Sequence, residues 1–395
     1  MKNAAPVLFA LLLCISLPAM TVVASEPAGD VRSQSAPVDA EETPNRLALE
    51  GEVRAEYRNT GPDLGATLAS TDDALRTDRE LYALEAGLED ATADEQRELL
   101  ETTHDRLAER LEALEQREQA AVEGHAAGNV SDAELMQTLF ANYAEAEQLS
   151  SAFDDLEAAS TTVSGVSIST QGEQAVLDTY RTPVRERLEA AIRGDDRRGS
   201  PVIVHRTAET GYSLSMIDGE RYTSETTRFD NRNTSATDQF EGSISGAHDR
   251  AAEHYPWVFD RPSSTTAGMS APAQLYHIQV AHTQGDLRLY LDGGTTEVYQ
   301  ERHHLRLAEL PSEPVEETWI DDGLELSINE TPANGPVEVT VTEDGSGEPV
   351  DATVSVDGHE MGETGPGGSL WVIPAAESYE IDVDADGRTV NATVE

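Results

Sequence analysis

The chain has 395 residues, 75 of them acidic and 27 basic, for a formal charge of −48. Such a charge self-repels in dilute buffer and supplies no stripe that could neutralise phosphates, so nucleic acid is excluded as a partner. Lys2 is the only lysine, Cys14 is the only cysteine, and aromatic residues make up 5% of the chain.

At molar salt the Debye length shrinks to roughly 3 Å and the self-repulsion largely vanishes. Arginine, nearly the sole cation, is weakly hydrated and pairs bidentately with carboxylates. Salt also strengthens effective burial, so a core rich in Ala and Val suffices. Acid excess, lysine depletion and small apolar residues together read as adaptation to high salt. A disordered acidic chain is the competing reading, and the periodicity of the apolar residues argues against it.

Met1-Lys2 and the apolar run Ala4–Ala24 read as a signal peptide over residues 1–24, cleaved near Ala24. Pro6 and Pro18 interrupt the run as a retained anchor, and Leu13 before Cys14 argues against a lipid-modified cut. Removing the segment removes Lys2 and Cys14, which excludes disulfides, thiol nucleophiles, cysteine–zinc sites and catalytic lysines. No later segment approaches the ~20 apolar residues of a membrane span. The expected product is secreted or held at the cell surface, with no membrane span after signal removal.

Residues 25–44 mix Pro, Ala, Ser and acids without period and form a flexible lead-in. A helical region follows over 45–199. Leu47, Leu49 and Val53 mark a short strand within Asn45–Tyr57, and Pro62-Asp63 opens the helical zone. Leu75, Leu81, Leu84, Leu88 and Ala91 predict a helix over Asp72–Asp90. Thr92 and Glu95 form a capping box for a long helix with Leu100, Leu107, Leu114 and Ala121 in heptad register. Gly128-Asn129 breaks it, and Ser131-Asp-Ala-Glu134 caps a partner helix carrying Leu135, Leu139, Tyr143, Ala146, Leu149, Phe153 and Leu156 on one face. The short turn predicts an antiparallel, coiled-coil-like hairpin, a stalk with arms of roughly 45–50 Å. His104 and His125 fall at the edge of its seam. Gly172–Arg193 predicts a further helix kinked at Pro183.

The period then switches to two. Residues 200–310 read as an α+β domain: strands at Pro201–His205 and around Tyr212, Leu214 and Met216, a turn at Asp218-Gly219, and a return strand through Tyr222 and Thr226. A helix over Ile244–Tyr255, a loop over Pro256–Met269, and strands Leu275–His282, Leu287–Asp292 and Thr296–Leu307 complete it. Residues 311–318 are a Pro/Glu linker, and residues 319–395 are strands throughout. The fold class is thus α+β multidomain: an N-terminal antiparallel helical hairpin, a central α+β domain and a C-terminal all-β sandwich.

Candidate sites are sparse. No nucleophile elbow, His-Glu-x-x-His, Walker or dinucleotide fingerprint occurs, and Gly242-Ser-Ile-Ser-Gly246 misplaces its serine for an elbow. Glu301, His303 and His304 could gather at a metal, although neighbouring strand residues face opposite ways. Asp382, Asp384 and Asp386-Gly387 imitate half a calcium loop, but Thr393 stands where its closing glutamate belongs. Neither pattern outweighs an ordinary strand or turn, so the sequence assigns no catalytic, cofactor-binding or metal-binding residue. Asn129, Asn233, Asn329 and Asn391 head N-glycosylation sequons, all expected at turns or element ends.

Two stretches resemble known families. Gly347-Glu-Pro-Val-Asp-Ala-Thr-Val-Ser-Val-Asp-Gly358, Gly362-Glu-Thr-Gly-Pro-Gly-Gly-Ser-Leu370, Pro374 and Tyr379 resemble the carboxypeptidase-regulatory-like β-sandwich, an accessory module used for spacing, adhesion or sugar contact. Leu291-Asp292-Gly-Gly-Thr295-Thr296-Glu297-Val298 is similar to the turn of a PepSY-type hairpin, with Thr296 where that family has glycine. The whole resembles uncharacterised secreted or surface proteins of haloarchaea, which implies no known activity.

The reading that follows is a non-enzymatic envelope or surface protein of a halophile, touching envelope protein or polysaccharide and able to self-associate through its helices. A partner or inhibitor of an exported peptidase, acting through the PepSY-like hairpin, is the alternative. A hydrolase with an unrecognised site is a third. The salt reading predicts that far-UV circular dichroism shows full helicity in molar KCl and loses it cooperatively at millimolar ionic strength. Unchanged helicity across that range would contradict it.

Overall fold

The structure, a computed structural model, describes residues 40, 42–195 and 201–394. The stretch expected to be a signal peptide, residues 1–24, and most of the expected lead-in at 25–44 lie outside the described residues. Within the compact unit that runs to the C-terminus, the first elements are β1 (Arg54–Asn59), α1 (Leu64–Asp90), α2 (Ala93–Ala126) and α3 (Asp132–Thr162). They are followed by α4 (Gln171–Asp178) and α5 (Pro183–Arg193).

The helical hairpin is α2 and α3; the predicted capping box at Thr92 forms, and the predicted helix opening at Ser131 is a second one. The Thr92 amide donates to Glu95 Oε2 at 2.8 Å, and the Ser131 amide donates to Glu134 Oε2 at 3.0 Å. Leu100, Leu107, Leu111 and Leu114 pack with Ala146, Leu149, Phe153 and Leu156. The hairpin is no projecting stalk, however. Near its turn Ala121, Val122, Leu135, Leu139 and Phe140 pack on α5 and on Ile203, Tyr212, Leu214 and Met216 of a β-sheet. Heptad spacing fixes which face of a helix is apolar, not what covers it.

Two boundaries move for local reasons. The α1 helix starts at Leu64, eight residues before the predicted Asp72, because the Asp63 carboxylate accepts the Ala66 amide at 3.0 Å. Its Leu84 is buried while Leu75 faces solvent. Pro183 does not kink one helix but starts a second, α5. Proline lacks the N–H that a helix interior needs and fits the first turn, and Thr182 caps it by accepting the Arg185 amide at 3.2 Å.

The central sheet contains β2 (Val202–Ala208), β3 (Gly211–Asp218) and β4 (Arg221–Arg228). After α6 (Ile244–His254) and α7 (Pro256–Asp260) come β5 (Ser264–Ser270), β6 (Leu275–His282), β7 (Gly285–Asp292) and β8 (Val298–Arg306). All eight strands are antiparallel, in the order β1-β2-β3-β4-β8-β7-β6-β5. The predicted loop at Pro256–Met269 holds α7 and the edge strand β5. The strand Ser-Thr-Thr-Ala-Gly-Met-Ser has no apolar alternation, so periodicity could not reveal it. The β7–β8 hairpin lies inside the sheet, flanked by β6 and β4, and offers no free strand edge.

One sheet face carries Ile203, Tyr212, Leu214 and Met216 and meets the helical layer. The other carries Tyr276, Ile278, Leu287 and Leu289 beneath Ala247, Ala251 and Val258 of α6 and α7. On this second face Tyr57, Val204, Tyr222 and Leu305 join the core of the terminal sandwich. Arg206 Nε donates to the Ala375 carbonyl at 2.9 Å, and the Ala375 amide donates to the Tyr57 hydroxyl at 2.7 Å.

The sandwich is formed by β9 (Glu313–Pro314), β10 (Trp319–Asp321), β11 (Leu324–Glu330), β12 (Val337–Glu343), β13 (Thr353–Val356) and β14 (His359–Glu363), then β15 (Ser369–Val372), β16 (Tyr379–Ala385) and β17 (Arg388–Val394). One sheet runs β10-β11-β12-β15 with β9 also on β11, and the other runs β14-β13-β16-β17. Part of the expected linker 311–318 is therefore paired, Pro314 lying opposite Asn329. Among the described residues no helix is long and apolar enough to cross a membrane.

His282, on β6, is held neutral by its surroundings. The Gln284 amide donates to its Nδ1 at 3.3 Å, and Trp257 stands edge-on with ring centres 5.4 Å apart. Burial, with His303 beside it, pushes its pKa from 6.5 down to about 4. Because the folded value is depressed, the unfolded chain binds the extra proton between those two values, and stability falls as pH drops through them. Denaturation in molar KCl is predicted to show a loss of about 2 kcal/mol between pH 6.5 and 4 that His282→Gln lacks. Parallel pH profiles for the two proteins would refute this.

Candidate functional site

On this sheet face α4 reaches across to β5, where the Ser270 hydroxyl donates to the Gln171 carbonyl at 3.1 Å, whereas the main cover of α2, α3 and α5 ends at β4. Beyond it, inward positions on β4, β8, β7 and β6 turn polar: Glu225, Arg302, Arg288 and Gln279 lie opposite one another in register. The α4–α5 elbow overhangs them and closes a groove of about 420 Å³. Tyr143 and Glu147 of α3 and Asp178, Arg181 and Glu186 of the elbow form its walls.

Its cations are already engaged. Arg288 Nη1 lies 3.5 Å from an Asp178 carboxylate oxygen, and its Nη2 donates to Gln279 Oε1 at 3.1 Å. Arg302 Nε donates to Gln300 Oε1 at 3.0 Å, while the guanidinium stacks over the Tyr290 ring at 4.8 Å. The Tyr290 hydroxyl donates to the Asp178 carboxylate, and Arg181 pairs with Glu147. Burial raises the Tyr290 pKa. Burial, with Arg221 nearby, lowers that of His304, which accepts from Arg221 Nη1 at 3.3 Å. Five carboxylates line the groove against three arginines.

The edge of the floor is fixed by a buried ion cluster between the helical layer and the sheet. Arg185 Nη1 and Nη2 donate to both Glu118 oxygens at 2.8 and 2.7 Å, and Arg185 Nε donates to Glu225 Oε1 at 3.0 Å. Arg185 also donates to the Tyr212 hydroxyl, and Asn142 Nδ2 donates to Glu118 Oε2 at 2.9 Å. Glu225 is 1% exposed, lines the groove, and leaves Oε2 without a hydrogen-bond partner.

None of the four sequon asparagines touches this groove. Asn129 is exposed in the hairpin turn, and Asn233 is exposed with its Oδ1 accepting the Ser235 amide at 3.2 Å. Asn329 stands at the end of β11, whereas Asn391 is a correction, since it lies in the middle of β17 and not at an element end. Asn391 is exposed there, whereas Asn329 is half-buried and donates across the sheet to Glu338 at 3.2 Å. The Glu301, His303 and His304 trio is split. Glu301 and His303 are buried on the sandwich side, where the Tyr255 hydroxyl donates to Glu301 at 2.6 Å, and His304 faces the groove side. Asp382 and Asp384 lie on β16, and Asp384 Oδ1 accepts the Gly387 amide in the following turn. Ser243 caps α6, accepting the Gly246 amide.

Two groups escaped the sequence reading. The sequence does not single out Arg185, which is fully buried beside the inward run Val184, Leu188 and Ile192. His125, expected at a seam edge, is fully buried and converges with Asp132 and His205.

Three family comparisons match consecutive stretches of the chain. Residues 1–197 match a domain of unknown function (DUF7096), and residues 203–311 match a family of unknown function (DUF7094). Residues 315–392 match the archaeal fibronectin-III type-like domain. The last describes the terminal β-sandwich as fibronectin-III-like rather than carboxypeptidase-regulatory-like. No curated protein matches the chain.

Proposed function

We propose that this protein is an exported, non-catalytic envelope module of a halophile that holds a neutral, hydroxyl-rich polysaccharide in the groove between the sheet and the α4–α5 elbow. The observation that carries the reading is the pre-paired state of the groove's arginines. A free phosphate or carboxylate would meet five carboxylates and no uncommitted guanidinium among the arginines that line it. A polyol meets alternating fixed donors and acceptors, with the Tyr143 ring at the wall, and requires no charge to be left unpaired.

The other features support display outside the cell. The leader, the acidic surface and the lysine-free body suit export into brine. Sandwiches of the fibronectin-III type recur in cell-surface proteins. Leu64, Leu68, Leu75 and Tyr82 of α1 are 74, 60, 61 and 72% exposed. Their spacing keeps them on one side of the helix, the side along which helical self-association would run.

The test is retention of a neutral polysaccharide purified from a halophile envelope, measured in molar KCl beside polyphosphate as an anionic comparator. Retention of the neutral polymer alone is expected, with Arg288→Ala weakening it by roughly tenfold and leaving circular dichroism unchanged. Preference for polyphosphate would overturn the reading. Release of new reducing ends would replace it with a hydrolase.

A further inference from the structure

Where the hairpin turn meets the sheet, two side chains flanking the turn converge with a third from a distant strand. His125 stands in the last turn of α2, Asp132 opens α3, and His205 lies mid-way along β2. Both imidazoles are fully buried, while the Asp132 side chain is 30% exposed. His125 Nε2 lies 2.8 Å from Asp132 Oδ1, and His205 Nε2 lies 3.4 Å from the same oxygen. The two rings meet edge to face with centres 5.1 Å apart. One ligand atom from each residue falls within 4.8 Å of the other two.

We propose that His125, Asp132 and His205 bind a divalent transition-metal ion of the zinc class, with a further coordination position open to solvent on the Asp132 side. Two imidazoles and one carboxylate suit a borderline cation and not Mg²⁺ or Ca²⁺, which prefer all-oxygen sets. Ligands at ~2.0–2.1 Å from a tetrahedral ion stand roughly 3.3 Å apart. The His205–Asp132 separation already has that value, and the His125–Asp132 pair would open by about 0.5 Å.

The surroundings support the assignment. His125 Nδ1 lies 2.7 Å from Thr207 Oγ1. With Nδ1–H donating to that hydroxyl, Nε2 turns its lone pair toward the ion, the usual outer-shell arrangement of a ligating histidine. His205 is underserved by the protein alone: its Nδ1 is buried without a partner, and its Nε2 makes one long contact. Coordination would give that ring a strong partner. One group opposes the ion. Arg54 Nη2 lies 3.6 Å from Asp132 Oδ1, and its Nη1 donates to the His125 carbonyl at 3.2 Å. This guanidinium shares the carboxylate and would lower the affinity without blocking the ligands.

The test is titration of the untagged chain with Co²⁺ in molar KCl, which screens the surface carboxylates. One equivalent is expected to produce visible d–d bands of nitrogen-ligated, low-coordinate Co²⁺, which carboxylate and water ligands do not give, and Zn²⁺ should displace it. His205→Ala and Asp132→Asn should weaken binding by more than about 100-fold. Arg54→Ala keeps all three ligands and should tighten binding by roughly three- to tenfold. Absence of the bands in the folded wild type would overturn the site. So would bands that persist in His205→Ala, or weaker binding in Arg54→Ala.

Discussion

One buried guanidinium holds the two main layers together. Arg185 is completely enclosed, and it binds Glu118 of α2 with two parallel bonds while reaching Glu225 of β4 and Tyr212 of β3. Charge-assisted bonds of this kind are strong, and the fork of donors fixes the angles as well as the distances. The cost of removing three charges from water is large, so the arrangement stabilises the fold only while every member is present. A chain with 75 acids and 27 basic residues has few cations to place inside. Placing one between two glutamates specifies how α2, α5 and the sheet must dock.

The sites follow from that docking. Seating the hairpin flat on β2 and β3 brings its turn over His205, so α2 supplies His125 and α3 supplies Asp132 to one point. Seating α5 beside β4 leaves the elbow at Thr182-Pro183 above the polar half of the sheet, and the groove is the space beneath it. Glu225 belongs to both regions, accepting from Arg185 through Oε1 while the residue lines the groove. The sandwich docks on the opposite face through Tyr57 and Arg206, so its free surfaces are independent of the groove.

What was legible in the sequence was what local rules encode. The capping box at Thr92, the helix opening at Ser131, the break at Gly128, the heptad leucines and the alternating strands from Val202 onward all depend on neighbours a few residues away. What was illegible depended on tertiary partners or on missing contrast. β5 has no apolar alternation, Pro183 suits a kink and a helix start equally well, and nothing in α2 announces the sheet beneath it. The groove could not be foreseen, because its floor alternates in the same rhythm as a solvent-facing sheet surface. His125 is one polar residue in an apolar stripe, and only the fold shows that His205 shares its burial.

The most direct test of this docking is native-state hydrogen exchange on Arg185→Met in molar KCl. Removing the cation leaves Glu118 and Glu225 facing each other in a dry interior. Amides of α2, α5, β3 and β4 should then lose protection together, by roughly 3–5 kcal/mol. Protection lost in α5 alone, or unchanged everywhere, would contradict the account.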